Sequence, residues 1–254
     1  MKIVTFNIRC DFGQDGENNF EYRKPLILRR IAEEKPDVIG FQEVLPHVQK
    51  WLRESLPGYT VVGCGRTADF GDEAMTIAVR NETCELLGLE VFWLSPDPYR
   101  PGSRYENQSE CPRTCAMAIV SCRELPGPIR VYNTHLDHIG AQARMQGLSQ
   151  ILRRMEDDSD KLALPSVLMG DFNAYPDSVE MSPIGEFASL GLRDITAGIP
   201  VTYHNYGRSG EETGKIDYIF LTEPFRAESV RLWEDTENGV YLSDHYPICA
   251  ELTV

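Results

Sequence analysis

Apolar positions along this chain gather mostly into short runs, alternating with polar residues or continuous, with the length and β-branched content of strands. Such runs cover residues 2–8, 38–42, 59–63, 76–80, 84–93, 114–122, 129–134, 166–169, 216–221, 227–233 and 246–252. Helical periodicity is clear in three places. Leu26, Ile27 and Ile31 precede Pro36; Val48, Trp51, Leu52 and Leu56 precede Pro57; and over residues 143–155, Met145, Leu148, Leu152 and Met155 fall on one face. Strands outnumber helices, yet helices lie between strands. The pattern predicts a large mixed α/β sheet structure with helices outside, rather than a doubly wound parallel sheet or a pure sandwich.

Two long segments break the pattern. Residues 95–112 carry four prolines together with Arg100 and Arg104, and Arg113 lies just beyond; residues 196–215 are rich in Gly, Thr, Tyr and Asn. Irregular segments of this length in a compact domain are usually functional or mobile. Arg100 and Arg104 read as solvated loop charges ahead of a phosphate-attracting patch. No repeat, linker or low-complexity tract divides the chain, so residues 1–254 are expected to form a single domain.

The 39 acidic residues against 25 basic ones give a formal charge of −14, which counts against holding nucleic acid by bulk charge. A hydrophobic content of 42% excludes disorder. Seven cysteines are an odd, scattered set, and the opening Met1-Lys2-Ile3-Val4-Thr5-Phe6 reads as a strand, so a reduced, cytoplasmic protein is expected. No apolar stretch reaches the roughly 18 residues of a membrane helix. Neither a membrane anchor nor an obligate protein partner is expected.

The chemistry concentrates at predicted strand ends. Four strings stand out: Thr5-Phe6-Asn7-Ile8-Arg9, Gly40-Phe41-Gln42-Glu43-Val44, Gly170-Asp171-Phe172-Asn173-Ala174 and Ser243-Asp244-His245-Tyr246-Pro247. Two weaker ones are Asn133-Thr134-His135-Leu136-Asp137-His138 and Lys215-Ile216-Asp217-Tyr218-Ile219. Each apolar run delivers a polar residue where a sheet meets solvent, and six converging ends would make a site. Glu43 and Asn7 offer hard oxygen ligands, which suit Mg²⁺ with Mn²⁺ able to substitute; no Cys/His cluster has zinc spacing. If strand geometry persists past Asp171, then Asp171 and Asn173 share a face.

In their order from Asn7 to His245, these strings resemble the endonuclease/exonuclease/phosphatase superfamily of metal-dependent phosphohydrolases. The resemblance implies a four-layer α/β/β/α sandwich of two packed mixed sheets. It implies Asn7, Glu43 and Asp244 as metal ligands, Asp171 as the group that orients or deprotonates the attacking water, and Asn173 as a donor to phosphoryl oxygens. It also implies that Asp217 fixes the tautomer of His245, that His135 and a protonated His245 flank the phosphate as imidazolium ions, and that Arg113 contacts the phosphate. The reaction would be an in-line attack by water without a covalent intermediate.

Each residue has a bland reading. An isolated Asn at a strand end is usually a turn former, an Asp-His dipeptide is commonly surface, and Glu43 could simply pair with an arginine. His47, His138 and His204 lack motif support and read as surface or loop-wall residues, and Trp51 and Trp93 as core. Their joint occurrence in order favours catalysis. The substrate is expected to be a phosphorylated small molecule, a nucleotide or a nucleic-acid end. The competing reading is a noncatalytic module that retains the fold and only binds phosphate.

Overall fold

The computed structural model describes residues 1–208 and 213–254. Four residues of the second long segment, 209–212, lie outside the described residues. Every predicted run forms a strand: β1 Lys2–Asn7, β2 Val38–Val44, β3 Tyr59–Val62, β4 Ala74–Arg80, β5 Cys84–Trp93, β6 Thr114–Cys122, β7 Ile129–His135, β8 Ser166–Asp171, β10 Asp217–Leu221, β11 Arg226–Leu232 and β14 Ile248–Thr253. Three further strands, β9 Arg193–Asp194, β12 Thr236–Glu237 and β13 Val240–Tyr241, are too short to carry a period. The predicted helices are α1 Phe20–Glu34, α2 Pro46–Ser55 and α3 Ala141–Lys161, and a one-turn α4 spans Pro183–Glu186.

Twelve strands form two six-stranded sheets, ordered β11-β14-β1-β2-β4-β3 and β5-β6-β7-β8-β10-β9, and β12 pairs with β13 in a separate antiparallel ribbon. Each six-stranded sheet is mixed and holds a parallel pair, β1 with β2 in the first and β7 with β8 in the second. Alternation along the strands builds the layers. Ile3, Val38 and Ile77 of the first sheet pack against Ala118, Val131 and Met169 of the second. Their neighbours Val4, Phe6 and Ile39 turn the other way, onto Ile27 of α1 and Leu52 of α2. On the far side, Tyr132, Leu168 and Phe220 meet Leu148 and Ile151 of α3. Central strands are therefore covered on both faces, which is why they read as continuous apolar runs. The architecture is the expected α/β/β/α sandwich.

The sheets touch closely below one end. A Cβ on Gly40 would stand 2.5 Å from Met169 Cε and 2.8 Å from Asn133 Oδ1, so a larger residue here would have to displace the Met169 and Asn133 side chains of the facing sheet. Beside it, Gln42 Nε2 donates to Asn133 Oδ1 at 2.6 Å, and Asn133 Nδ2 donates to Phe41 O at 2.9 Å and Thr76 O at 3.2 Å. Both side chains are fully buried. This polar bridge fixes one sheet against the other.

The structure departs from the expectation of reduced cysteines. Cys84 and Cys122 form a disulfide, their Cα atoms 4.1 Å apart. The two are partners in the β5–β6 register, a juxtaposition that a separation of 38 residues conceals in the sequence. The ground for expecting a reducing compartment is thereby removed. No described helix is long and apolar enough to cross a membrane.

Candidate active site

The polar residues that close the central strands meet at one end of the sandwich. In the second sheet, His135 is the register partner of Asp171, and Asp171 that of Asp217, so three adjacent strands place an imidazole and two carboxylates in one row. From the first sheet, Asn7 closes β1 opposite Gln42. Glu43 follows Gln42 in a break of the β2–β4 register, with φ of 62°, and the irregular backbone re-aims its side chain out of the strand's alternation. His245, just before β14, is held by an antiparallel bridge to Tyr203.

Hydrogen bonds close the constellation. Asn7 Nδ2 lies 2.9 Å from both Glu43 Oε1 and Asp171 Oδ2, tying the sheets together within the site. The second oxygen of Glu43 accepts from the Cys10 amide at 2.7 Å. His245 Nδ1 donates to Asp217 Oδ2 at 2.8 Å, leaving Nε2 3.8 Å from Asp171 Oδ2. Asp171 Oδ1 accepts from the Asn173 amide at 2.8 Å.

The charges follow from burial and neighbours. Burial first, and then the adjacent Asp217, push the Asp171 carboxyl up to about 7. Burial opposes protonation of His245, yet Asp217 outweighs it and raises the imidazole to about 10. Burial raises Asp244 as well. Burial also works against ionised Glu43, but His135, then the Arg9 guanidinium and the Asn7 and Cys10 donors, hold its carboxyl below the usual range.

Three local expectations are corrected. Strand geometry does not persist to Asn173: β8 ends at Asp171, and Asn173 sits at φ of 48°. A turn, rather than alternation, brings it back to the site. Its amide is already engaged, donating to His135 Nε2 at 2.9 Å and to Leu136 O at 3.0 Å. Burial first, and then the Arg113 guanidinium, push His135 well below the ordinary histidine range, against the expectation of a second imidazolium.

Arg113 enters β6 at the same sheet end, nearly buried, with Nη2 2.8 Å from His138 Nδ1 and Nε 3.7 Å from Asp137 Oδ2. Asp244 stands 3.4 Å from the Arg9 guanidinium. Arg100 and Arg104 are exposed loop charges, as expected, and His47, exposed in the first turn of α2, lies 2.9 Å from Asp11. Trp93 is buried and Trp51 packs on the outer face of the first sheet. His204 differs: it is buried, stacked on Tyr246 with ring centroids 3.9 Å apart.

Sequence reasoning passed over three supporting residues. Asp137 accepts from the amides of Ser109, Ile139 and Gly140 and so ties the 95–112 segment to the β7 exit. Thr202 Oγ1 accepts from the Asp217 amide at 3.1 Å, and its carbonyl accepts from Tyr246 N at 2.7 Å, bracing Asp217 and His245 together. Arg9 spans Asp15 and Asp244. Only Arg9 and Asp137 lay within the quoted strings, and neither carried a periodic signal.

Side-chain donors of Glu43, His135 and Asp171 lie within 4.8 Å of one another, as do those of Asp171, Asp217 and His245. Glu43, Asp171 and Asp217 are thus buried together, and Asp171 is pushed toward its neutral form. That excess of negative charge and hard oxygen donors suits a divalent cation.

The chain matches the Endonuclease/Exonuclease/phosphatase family over residues 4–245, and it belongs to that family of phosphoesterases. An endonuclease/exonuclease/phosphatase protein from Bacteroides vulgatus is similar to it at 30% identity, covering 100% of this chain and 98% of its own, with a TM-score of 0.90. A mannosyl-6-phosphatase from Bacteroides thetaiotaomicron shares the fold at 24% identity, full coverage of both chains and a TM-score of 0.89. TDP2 from D. rerio, solved with a single-strand DNA product, shares it at 18% identity, with 100% and 99% coverage and a TM-score of 0.77. No curated protein matches the chain.

Proposed function

We propose that this chain hydrolyses phosphoesters by in-line attack of water, assisted by Mg²⁺, for which Mn²⁺ can substitute. One observation carries the reading: Asp171 Oδ2 lies 3.5 Å from His135 Nε2 and 3.8 Å from His245 Nε2, and the other nitrogen of His245 is locked to a second carboxylate, Asp217, at 2.8 Å. Asn7, Glu43 and Asp244 would hold the cation, which when bound stabilises the negative charge that develops on the phosphoryl oxygens.

The side chains supply the rest. Asp171 Oδ2, oriented by Asn7, takes the proton of the attacking water. His245, kept protonated by Asp217, offers Nε2–H to a phosphoryl oxygen. Asn173 orients His135 on the other side of the phosphate, and Arg113 contacts that flank. The substrate is a phosphorylated small molecule, a nucleotide or a nucleic-acid end. The net charge of −14 argues against nonspecific duplex cleavage.

A panel of phosphomonoesters and phosphodiesters with Mg²⁺ or Mn²⁺, assayed beside His245→Ala, tests the proposal. Turnover by the wild type and its loss in the variant are expected, with inversion at phosphorus in isotopically labelled water. Equal, negligible rates for both proteins would favour a module that only binds phosphate, and net retention would require a nucleophilic side chain.

A further inference from the structure

The irregular segment that begins at Ser95 takes no part in the chemistry above until Ser109 meets Asp137, yet its first half is firmly held. Gln150, midway along α3, accepts from Ser95 N at 2.9 Å and from the Tyr105 hydroxyl at 2.8 Å, and its amide donates to Trp93 O at 3.0 Å. Within the segment, Ser103 Oγ lies 2.7 Å from Ser95 Oγ and donates to Asp97 O at 2.8 Å. Pro96, Pro98 and Pro101 restrict the backbone further. The segment is thus a fixed wall, and between it and α3 lies a cleft of about 650 Å³, a size typical of small-molecule sites. No residue of the candidate active site lines it.

Tyr99 and Tyr105 line the cleft, and both are pinned by their hydroxyls. Tyr105 donates to Gln150, and the Tyr99 hydroxyl accepts from Arg154 Nη1 at 3.1 Å although the residue is 68% exposed. A tethered surface ring is already ordered, so a ligand that rests on it gives up little conformational entropy. Phe92, buried, adds a third ring, with the Arg154 guanidinium 5.8 Å from its centroid. That guanidinium is neutralised by both oxygens of Glu90 and by Asp158.

The polar lining comes from one face of α3. Gln146, Arg153 and Asp157 recur at the spacing of successive turns, and none of their side chains makes a hydrogen bond to a described residue. Arg153 is set against the carboxylates of Asp157 and Glu186, so the cleft offers an anion no net attraction. Aromatic rings bordered by an amide, a guanidinium and a carboxylate match a neutral polyol ring. The C–H face of such a ring is weakly positive and complements the negative face of an aromatic ring, while each hydroxyl both donates and accepts.

We propose that this cleft binds a neutral saccharide, one sugar resting on Tyr99 and Tyr105 and its hydroxyls meeting Gln146, Arg153 and Asp157. The site stands apart from the phosphoester reading and does not depend on it.

The test is calorimetric titration of the wild type with short cello-, xylo-, malto-, manno- and chito-oligosaccharides, and with AMP as an anionic ligand that can also stack. Tyr99→Ala, Tyr99→Phe and Gln146→Ala are titrated alongside, with Tyr22→Ala, a 60% exposed tyrosine on α1, as the control for nonspecific contact. Thermal unfolding establishes that each variant folds. At least one saccharide series should bind with a millimolar or lower dissociation constant. Tyr99→Ala should weaken that binding about tenfold, which is about 1.4 kcal/mol. Tyr99→Phe, which keeps the ring, should recover most of the loss, Gln146→Ala should weaken binding to a smaller extent, and Tyr22→Ala should bind as the wild type does. Turnover of p-nitrophenyl phosphate should be the same in all of them. If no phosphoester is turned over but a saccharide binds in a Tyr99-dependent way, the hydrolytic reading fails while the saccharide site stands. Absence of binding across the panel, equal binding by the wild type and Tyr99→Ala, or Tyr99-dependent binding of AMP without any saccharide overturns the proposal.

Discussion

Gln42 and Asn133 join the two sheets through a 2.6 Å hydrogen bond, one residue before Glu43 on one strand and two before His135 on the other. The contact sets the spacing on which every distance between the two halves of the site depends. Replacing Asn133 with Ala would take a buried donor from the carbonyls of Phe41 and Thr76 and break the contact between the sheets, while Gln42 Nε2 keeps Thr5 Oγ1 and Gly40 O. A loss of about 2–4 kcal/mol is expected in urea unfolding. A variant as stable as the wild type would show that the bridge is dispensable.

Asp217 has a separable effect. In metal-free protein, Asp217→Asn should lower the titration midpoint of His245 from about 10 toward the ordinary imidazole value, as followed by NMR of the ring protons. The same change should reduce kcat by roughly 10² to 10⁴, the range seen when a catalytic imidazole loses its carboxylate. An unmoved midpoint would mean that the 2.8 Å contact does not control His245.

Asp171 makes stability depend on pH. Its folded value of about 7 lies above that of a free carboxyl, so its favourable contribution is complete below about pH 4 and is lost as pH rises through 7. Asp171→Asn cannot ionise. In metal-free protein, its melting temperature relative to the wild type should be higher at pH 8 than at pH 5, although its activity is abolished. A pH-independent difference would refute the raised value.

Divalent metal should stabilise the fold by linkage, by about 2.7 kcal/mol when its concentration is a hundred times the dissociation constant. Thermal melts with and without Mg²⁺ measure this, and chelation should abolish turnover while leaving far-ultraviolet dichroism unchanged. Glu43→Gln should remove most of the metal-induced shift. An undiminished shift would place the cation elsewhere.

All the long strands were legible in the sequence, because Ile3, Val38, Val131 and Val167 obey periods that burial imposes on central strands. The residues at their ends were legible for the same reason: an apolar run that stops at Asn7, Asp171 or Asp217 advertises the polar group. What stayed hidden depends on the third dimension. The turn that returns Asn173, the lowered proton affinity of His135, the burial of His204 and the Cys84–Cys122 bridge all arise from contacts between segments far apart in sequence or from conformations with φ above zero. Asp137 and Thr202 escaped notice because a residue that braces others shows no pattern of its own.

The chain leaves the first sheet after β4, builds the whole second sheet, and returns only with β11 and β14, and β14 lies between β11 and β1. His245 directly precedes that last arrival. A frameshift or premature stop upstream of His245 therefore does more than shorten the chain. It yields a protein that lacks that imidazole and bares the backbone edge of β1, a template for aggregation and a ready target for degradation.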